Sequence, residues 1–193
     1  MTTDNAIRLF GLNNLAIEAS FRSIQTEFEL DLGKGTQEVI DSDNTYYPQF
    51  DARIRNEAAC MGKHYEIFYC LEKSIRGLIV EKLRDAFGAD WWEDKVPDIV
   101  KQSASKNMQR EIDSGITVRS DEPIDYSTFG ELGEIIKSNW MTFADIFNSQ
   151  RAVEKVMSNL NLLRGPIAHC SLLAPDEVTR LQLSLRDWFR LME

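Results

Sequence analysis

The feature that most limits the possible folds is one long segment, residues 50–87, in the first half of the chain. Its apolar side chains recur with the 3.6-residue period of an α-helix. Gly88 follows directly and is a residue that commonly ends helices. The segment is therefore predicted to be a single long helix, carried by Tyr65, Phe68, Tyr69, Leu71, Ile75, Leu78, Ile79 and Leu83.

The rest of the chain also favours helices. Only Ile116-Thr117-Val118 resembles a strand, because alternating Val, Ile and Thr runs are missing elsewhere. The chain is therefore predicted to be all-α, with an N-terminal helix and linker over residues 1–45 and a helical domain over residues 46–193. Further helices are expected at residues 6–28, 97–112, 130–138, 140–147, 150–163 and 175–192, with turn-rich connections at residues 32–44 and 114–128.

Charge and cysteine usage narrow the class of protein. The three cysteines are odd in number and form no CxxC pair, so they are interpreted as reduced thiols in an intracellular, cytoplasmic protein. No stretch approaches the length of a membrane span, and the polar N-terminus is unlike a signal peptide. The net charge of −9 argues against non-specific coating of nucleic acid. The last 44 residues are more favourable to polyanions, because they hold six Arg or Lys against five Asp or Glu.

The candidate chemistry lies in the string Arg164-Gly165-Pro166-Ile167-Ala168-His169. Residues five apart on an unbroken helix point about 140° away from each other. Gly165-Pro166 is expected to break the helix and to let Arg164 and His169 converge. Arginine clamps a phosphodiester and histidine titrates near neutrality, a combination suited to phosphoryl chemistry. The alternative interpretation is a helix cap with an exposed histidine.

This Arg-x4-His string, placed between the two closing helices, resembles the signature of the HEPN superfamily of helical RNA-binding and RNA-cleaving domains. Other segments in the same order extend the resemblance over residues 46–193, and they are similar to the Swt-type branch of that superfamily. The supporting segments are residues 65–76, 87–92, 123–132 and 172–176.

The resemblance implies a helical bundle that dimerises, with two copies of the motif forming a composite site. It implies RNA cleavage without a metal or other cofactor, leaving a 2′,3′-cyclic phosphate. In that mechanism His169 is the general acid or base and Arg164 binds the scissile phosphate. Ser171 is a further supporting candidate beside the motif.

Four residues in and around the motif are considered further. Gly165 departs from the polar residue, most often Asn, that commonly follows the arginine, and Asn161 is a candidate to replace it. Glu72 and Arg76 are spaced i,i+4, so they form either a pair on the helix surface or a support for Arg164 or His169.

Three functional hypotheses follow. The chain is a dimeric, metal-independent endoribonuclease, such as a toxin or phage-defence effector with a neutralising partner. Alternatively, it is an inactive HEPN module that binds RNA or dimerises as an adaptor beside an effector protein, which Gly165 and the acidic surface favour. The third possibility is a helical scaffold without a nucleic-acid role.

Overall fold

The described part of the chain, residues 47–193 of a computed structural model, is built from helices. It contains no strand, and this confirms the all-α prediction. None of the helices in this part has both the length and the apolar content to cross a membrane. The predicted helix at residues 6–28 and the linker after it lie outside the described residues. The helices are α1 (Ala52–Phe87), α2 (Trp91–Lys95), α3 (Asp98–Ser114), α4 (Phe129–Ser138), α5 (Trp140–Phe143), α6 (Gln150–Ala168) and α7 (Pro175–Arg190), with short 3-10 helices at Tyr47–Gln49 and Pro123–Tyr126.

Helix α1 follows the apolar period of its sequence. Its buried residues are spaced three or four apart and form one face of the helix: Phe68, Leu71, Ile75, Ile79 and Leu83. Asp51 caps its first turn by accepting a hydrogen bond from the Arg53 backbone N–H at 2.7 Å. The helix ends before Gly88, which has a φ of 80°. The long helix is therefore confirmed, although Tyr65 and Tyr69 lie at the edge of the apolar face and are exposed.

The core of residues 50–193 forms where α1, α4, α6 and α7 pack together. Phe129, Leu132, Leu160 and Leu181 are completely buried there. Complete burial of each such side chain contributes roughly 1.5–3 kcal/mol. Helix α4 is fixed by a capping box, in which the side chains of Thr128 and Glu131 bind each other's backbone N–H. This packing places the C-terminal part of α6 beside the middle of α1.

The predicted helix break at Gly165-Pro166 is wrong, because α6 continues to Ala168. Pro166 lies in the last turn and removes only the hydrogen bond to the carbonyl of Leu162. Leu162 is 72% exposed and Pro166 is half-buried, so the proline lies away from the fully buried face of the helix. The apolar contacts of the buried face are therefore kept through this turn.

Helix α6 ends instead in a Schellman motif. The backbone N–H of Ser171 donates to Pro166 O at 2.8 Å, and that of Cys170 donates to Ile167 O at 3.4 Å. Cys170 has a φ of 55°, the left-handed conformation that this motif requires and that glycine usually supplies. His169 is consequently the C-cap residue of α6.

Candidate functional site

A cleft of about 430 Å³ opens between α1, the C-terminal end of α6 and the segment that follows α3. We call it the Arg164 cleft. Helix α1 forms its longest wall, and α6 and residues 119–125 complete it. The wall residues are Tyr65, Phe68, Tyr69, Glu72, Lys73, Arg76, Arg119, Asp125, Arg164, Ile167 and Ala168.

Glu72 is the shared acceptor in this cleft. One of its carboxylate oxygens accepts a hydrogen bond from Arg164 Nε at 3.1 Å, and the other accepts from Arg76 Nη2 at 2.5 Å. Its side chain is only 14% exposed. A carboxylate this buried needs charged partners to offset its desolvation, and the two guanidinium groups provide them. Glu72 therefore links α1 to α6.

Arg76 mainly holds neighbouring backbone in place. Besides Glu72, its guanidinium donates to the backbone oxygens of Ile124 at 3.3 Å and Ser127 at 2.9 Å. These bonds fasten the 3-10 helix Pro123–Tyr126 and its following residue to α1. Glu72 and Arg76 thus form the expected i,i+4 pair, and Glu72 also contacts Arg164.

Arg164 is held by one side of its guanidinium group. Its Nε binds Glu72, whereas its two terminal nitrogens have no partner among residues 47–193. A guanidinium group binds a phosphate best through two parallel N–H groups. The contact with Glu72 therefore fixes the orientation of Arg164 and leaves donors available to an anion in the cleft.

His169 is exposed and is not part of the cleft wall. Its backbone N–H donates to Gly165 O at 3.0 Å, which completes the last helical turn. Because the helix is unbroken as far as Ala168, Arg164 and His169 leave it in different directions. His169 therefore does not line the cleft that Arg164 of the same chain lines.

Asn161 and Ser171 lie away from the cleft. Asn161 is on the side of α6 that faces α4, where a β-carbon added to Gly130 would lie 3.4 Å from the Asn161 amide nitrogen. Ser171 is exposed and takes part in the Schellman motif through its backbone N–H. Neither residue is in the wall of the Arg164 cleft.

Arg119 is a cleft residue that no sequence pattern indicated. Its backbone N–H donates to Glu111 at 3.3 Å, and its guanidinium group forms further hydrogen bonds with the same carboxylate. The guanidinium carbon also lies 5.1 Å from the centre of the Tyr126 ring. The hydrogen bond from Arg119 holds the pKa of Glu111 below its ordinary value, and the same bond raises the pKa of Arg119. These contacts hold the segment after α3 against the cleft.

The charge of the cleft is opposite to that of the chain. Four basic residues, Lys73, Arg76, Arg119 and Arg164, face two acidic ones in the wall, whereas the whole chain carries −9. Such a local excess attracts anions. No group of three or more His, Cys, Asp or Glu side chains positioned to hold a metal ion occurs between residues 47 and 193.

A smaller cavity of about 260 Å³ shares four wall residues with the Arg164 cleft, namely Glu72, Arg76, Arg119 and Arg164. We call it the side chamber. The Ser127 hydroxyl is buried and has no hydrogen-bond partner within the described part of the chain. The remaining wall residues are Asn107, Arg110, Glu111, Tyr126, Ser127 and Thr128.

The family model described as Swt1-like HEPN matches residues 66–193, which is most of the chain. The chain belongs to the Swt1-like HEPN family. The matched part of this HEPN chain contains Glu72, Arg119, Arg164 and His169, and it confirms the resemblance found in the sequence. Membership in the HEPN family suggests a role in RNA cleavage or RNA binding. No curated protein and no solved structure matches the chain significantly.

Proposed function

We propose that this HEPN domain binds RNA in the Arg164 cleft and cleaves it as a homodimer. The observation that carries the proposal is the state of Arg164, which Glu72 anchors through Nε while its terminal nitrogens have no partner among the described residues. The cleft around it has more basic than acidic residues. An oriented guanidinium group in a positive cleft is suited to a phosphodiester.

His169 takes part from a second copy of the chain in this proposal. It is exposed at the end of α6 and absent from the wall of its own cleft, so a dimer is needed to complete the site. An imidazole accepts the proton of the ribose 2′-hydroxyl, whose oxygen attacks the adjacent phosphorus. The bond from phosphorus to the 5′-oxygen breaks, and that oxygen takes a proton from the imidazolium or from water. The products are a 2′,3′-cyclic phosphate and a 5′-hydroxyl, and Arg164 stabilises the charge that develops on the phosphate.

The experiment compares the two histidines of the chain. Purified protein is incubated with RNA in EDTA, and the termini of the products are identified. Wild type and His64→Ala should both yield cyclic phosphate ends, because His64 lies on α1 outside the cleft wall. His169→Ala should abolish the products. Cleavage that survives in His169→Ala contradicts the assigned role of this residue.

A second candidate function is RNA binding or dimerisation without catalysis. Two observations favour it: Gly165 replaces the polar residue expected after the arginine, and His169 lies outside the cleft wall of its own chain. Under this alternative the wild type shifts RNA in a mobility assay and leaves it intact. Cyclic phosphate products that depend on His169 exclude the alternative.

A cellular role as a toxin or defence effector is the narrower form of the first proposal. A ribonuclease that acts on the RNA of its own cell arrests growth unless a neutralising protein is present. Induced expression of the wild type should therefore stop growth, whereas His169→Ala should be tolerated. Equal growth with both proteins, at equal protein levels, contradicts a toxin role.

A further inference from the structure

We propose that the Arg164 cleft takes an unpaired nucleotide, with its base against Tyr65 and Tyr69 and its phosphate near Arg119 and Arg164. The inference rests on the proposed RNA-binding function and identifies the side chains that would hold one nucleotide of a single strand in the cleft. It assigns a binding role to four residues, Tyr65, Tyr69, Arg119 and Ser127, that lie outside the Arg-x4-His motif.

The two tyrosines form an exposed aromatic pair at the cleft. They are one turn apart on α1, their ring centroids are 6.3 Å apart, and the ring planes are inclined by 40°. The side chains are 60% and 55% exposed, while Phe68 between them is buried. The two tyrosine rings are therefore not packed in the hydrophobic core. Aromatic faces beside a positive groove are the usual platform on which bases of single strands stack.

The opposite side of the cleft supplies phosphate donors. Glu111 and Tyr126 hold Arg119 in the wall, and Glu72 holds Arg164 there. Both arginines also belong to the wall of the side chamber, which includes Ser127. The Ser127 hydroxyl is a buried donor without a partner among residues 47–193, and a ligand oxygen is a suitable acceptor for it. Arg119, Arg164 and Ser127 all line the side chamber, so a phosphate bound there would lie beside all three residues.

The combination of features favours a single strand over other anions. In an A-form duplex the faces of the bases are already stacked on one another, so they are not accessible to tyrosine rings. An acidic peptide satisfies the arginines, but it leaves the tyrosines without a planar partner. An unpaired nucleotide offers both a flat base for the tyrosines and a phosphate for the arginines.

The test uses the His169→Ala protein, so that bound RNA stays intact, and a single-stranded RNA that contains 2-aminopurine. We expect the fluorescence of 2-aminopurine to be quenched on binding, because it stacks on a tyrosine ring. Replacing both tyrosines by leucine should weaken binding about tenfold or more and should remove the quenching. Replacement of both by phenylalanine should preserve binding and quenching, since the aromatic faces remain.

Phe189→Leu is a matched control, because Phe189 is an exposed aromatic residue outside the cleft wall. It should leave the affinity unchanged. Urea unfolding of the leucine double variant checks that the fold is intact, which we expect because both rings are exposed. A second variant, Ser127→Ala, should weaken RNA binding without lowering the free energy of unfolding, because it removes a hydroxyl that the folded chain does not pair.

Several outcomes overturn the inference. They are an unchanged affinity in the leucine double variant, equal binding of duplex RNA, preferential binding of an acidic peptide, and the absence of any RNA binding. Failure of the ribonuclease proposal would give a different experimental result. If the wild type binds single strands through the tyrosines but yields no cyclic phosphate, the inference stands and the cleavage mechanism fails.

Discussion

Arg164 Nε donates a hydrogen bond to Glu72 Oε2 over 3.1 Å and joins residues that lie 92 positions apart in the chain. The bond connects the end of α6, which carries the motif, to the middle of the longest helix. Since Glu72 also binds Arg76, the same carboxylate orients Arg164 and secures the 3-10 helix at Pro123–Tyr126. The candidate site and the packing of the bundle therefore depend on one partly buried charge.

Glu72→Gln should destabilise the fold. The substitution removes the negative charge that two guanidinium groups share, so we expect the free energy of unfolding to fall by roughly 1–3 kcal/mol. Urea unfolding measures this change. Glu81→Gln is the matched control on the same helix, because Glu81 is exposed and has no ion pair within residues 47–193. Equal midpoints for the two variants contradict a structural role for Glu72.

Cys170→Gly should stabilise the protein. Cys170 has a φ of 55°, where a side chain costs roughly 1–2 kcal/mol and glycine fits without strain. The greater freedom of glycine in the unfolded chain offsets part of this gain, which leaves about 0.5–1 kcal/mol. Thermal or urea unfolding checks the sign.

The control is the same change at Cys70, which is exposed in the interior of α1. There glycine should lower the free energy of unfolding by about 0.3 kcal/mol, because cysteine is already a weak helix former. A loss of stability at both positions shows that the Schellman motif does not form around Cys170.

Glu111 should make stability depend on pH. Its pKa is lowered from 4.5, mainly by the hydrogen bond from Arg119. A lowered folded-state pKa stabilises the fold above the unfolded-state value, and this stability is lost as the pH falls through the folded-state pKa. Glu111→Gln should therefore be less stable than wild type at about pH 7, and the difference should narrow at about pH 3.

Urea midpoints at both pH values measure that difference. Glu81→Gln serves again as the control and should change stability little at either pH. A difference between Glu111→Gln and wild type that stays constant with pH shows that the carboxylate charge does not hold Arg119.

Asn161→Ala should leave RNA affinity within about twofold of wild type. Asn161 faces Gly130 on α4, and it is absent from the Arg164 cleft. A fluorescence anisotropy titration with single-stranded RNA measures the affinity. If Asn161→Ala lowered the RNA affinity as much as a cleft variant does, the RNA would bind on the other face of α6. That result would contradict the proposed site.

The helices of the domain could be predicted from the sequence, because the residue patterns that start, maintain and end a helix are local. The apolar period and Gly88 set the bounds of α1, and Pro175 followed by two acidic residues marks the start of α7. The end of α6 was not predictable from its proline alone. Pro166 is tolerated because it lies in the last turn, and the helix ends at a left-handed cysteine in place of the usual glycine.

The site was only partly visible in the sequence. The i,i+4 spacing paired Glu72 with Arg76, but the contact between Glu72 and Arg164 depends on the packing of α6 against α1. Arg119 gave no signal, since its position depends on the return of the segment after α3 to Glu111 and Tyr126. Interactions between distant segments decide these positions, and no local pattern encodes them.

The most direct test of the account is the RNA affinity of two charge-matched variants, Arg164→Gln and Arg186→Gln, at one salt concentration. Both remove one positive charge, but Arg186 is exposed on α7 outside the cleft and the side chamber. We predict that Arg164→Gln weakens binding of single-stranded RNA about tenfold or more, as expected for the loss of a charged hydrogen bond, whereas Arg186→Gln binds like wild type. Equal affinities for the two variants would contradict the assignment of the Arg164 cleft as the RNA-binding site.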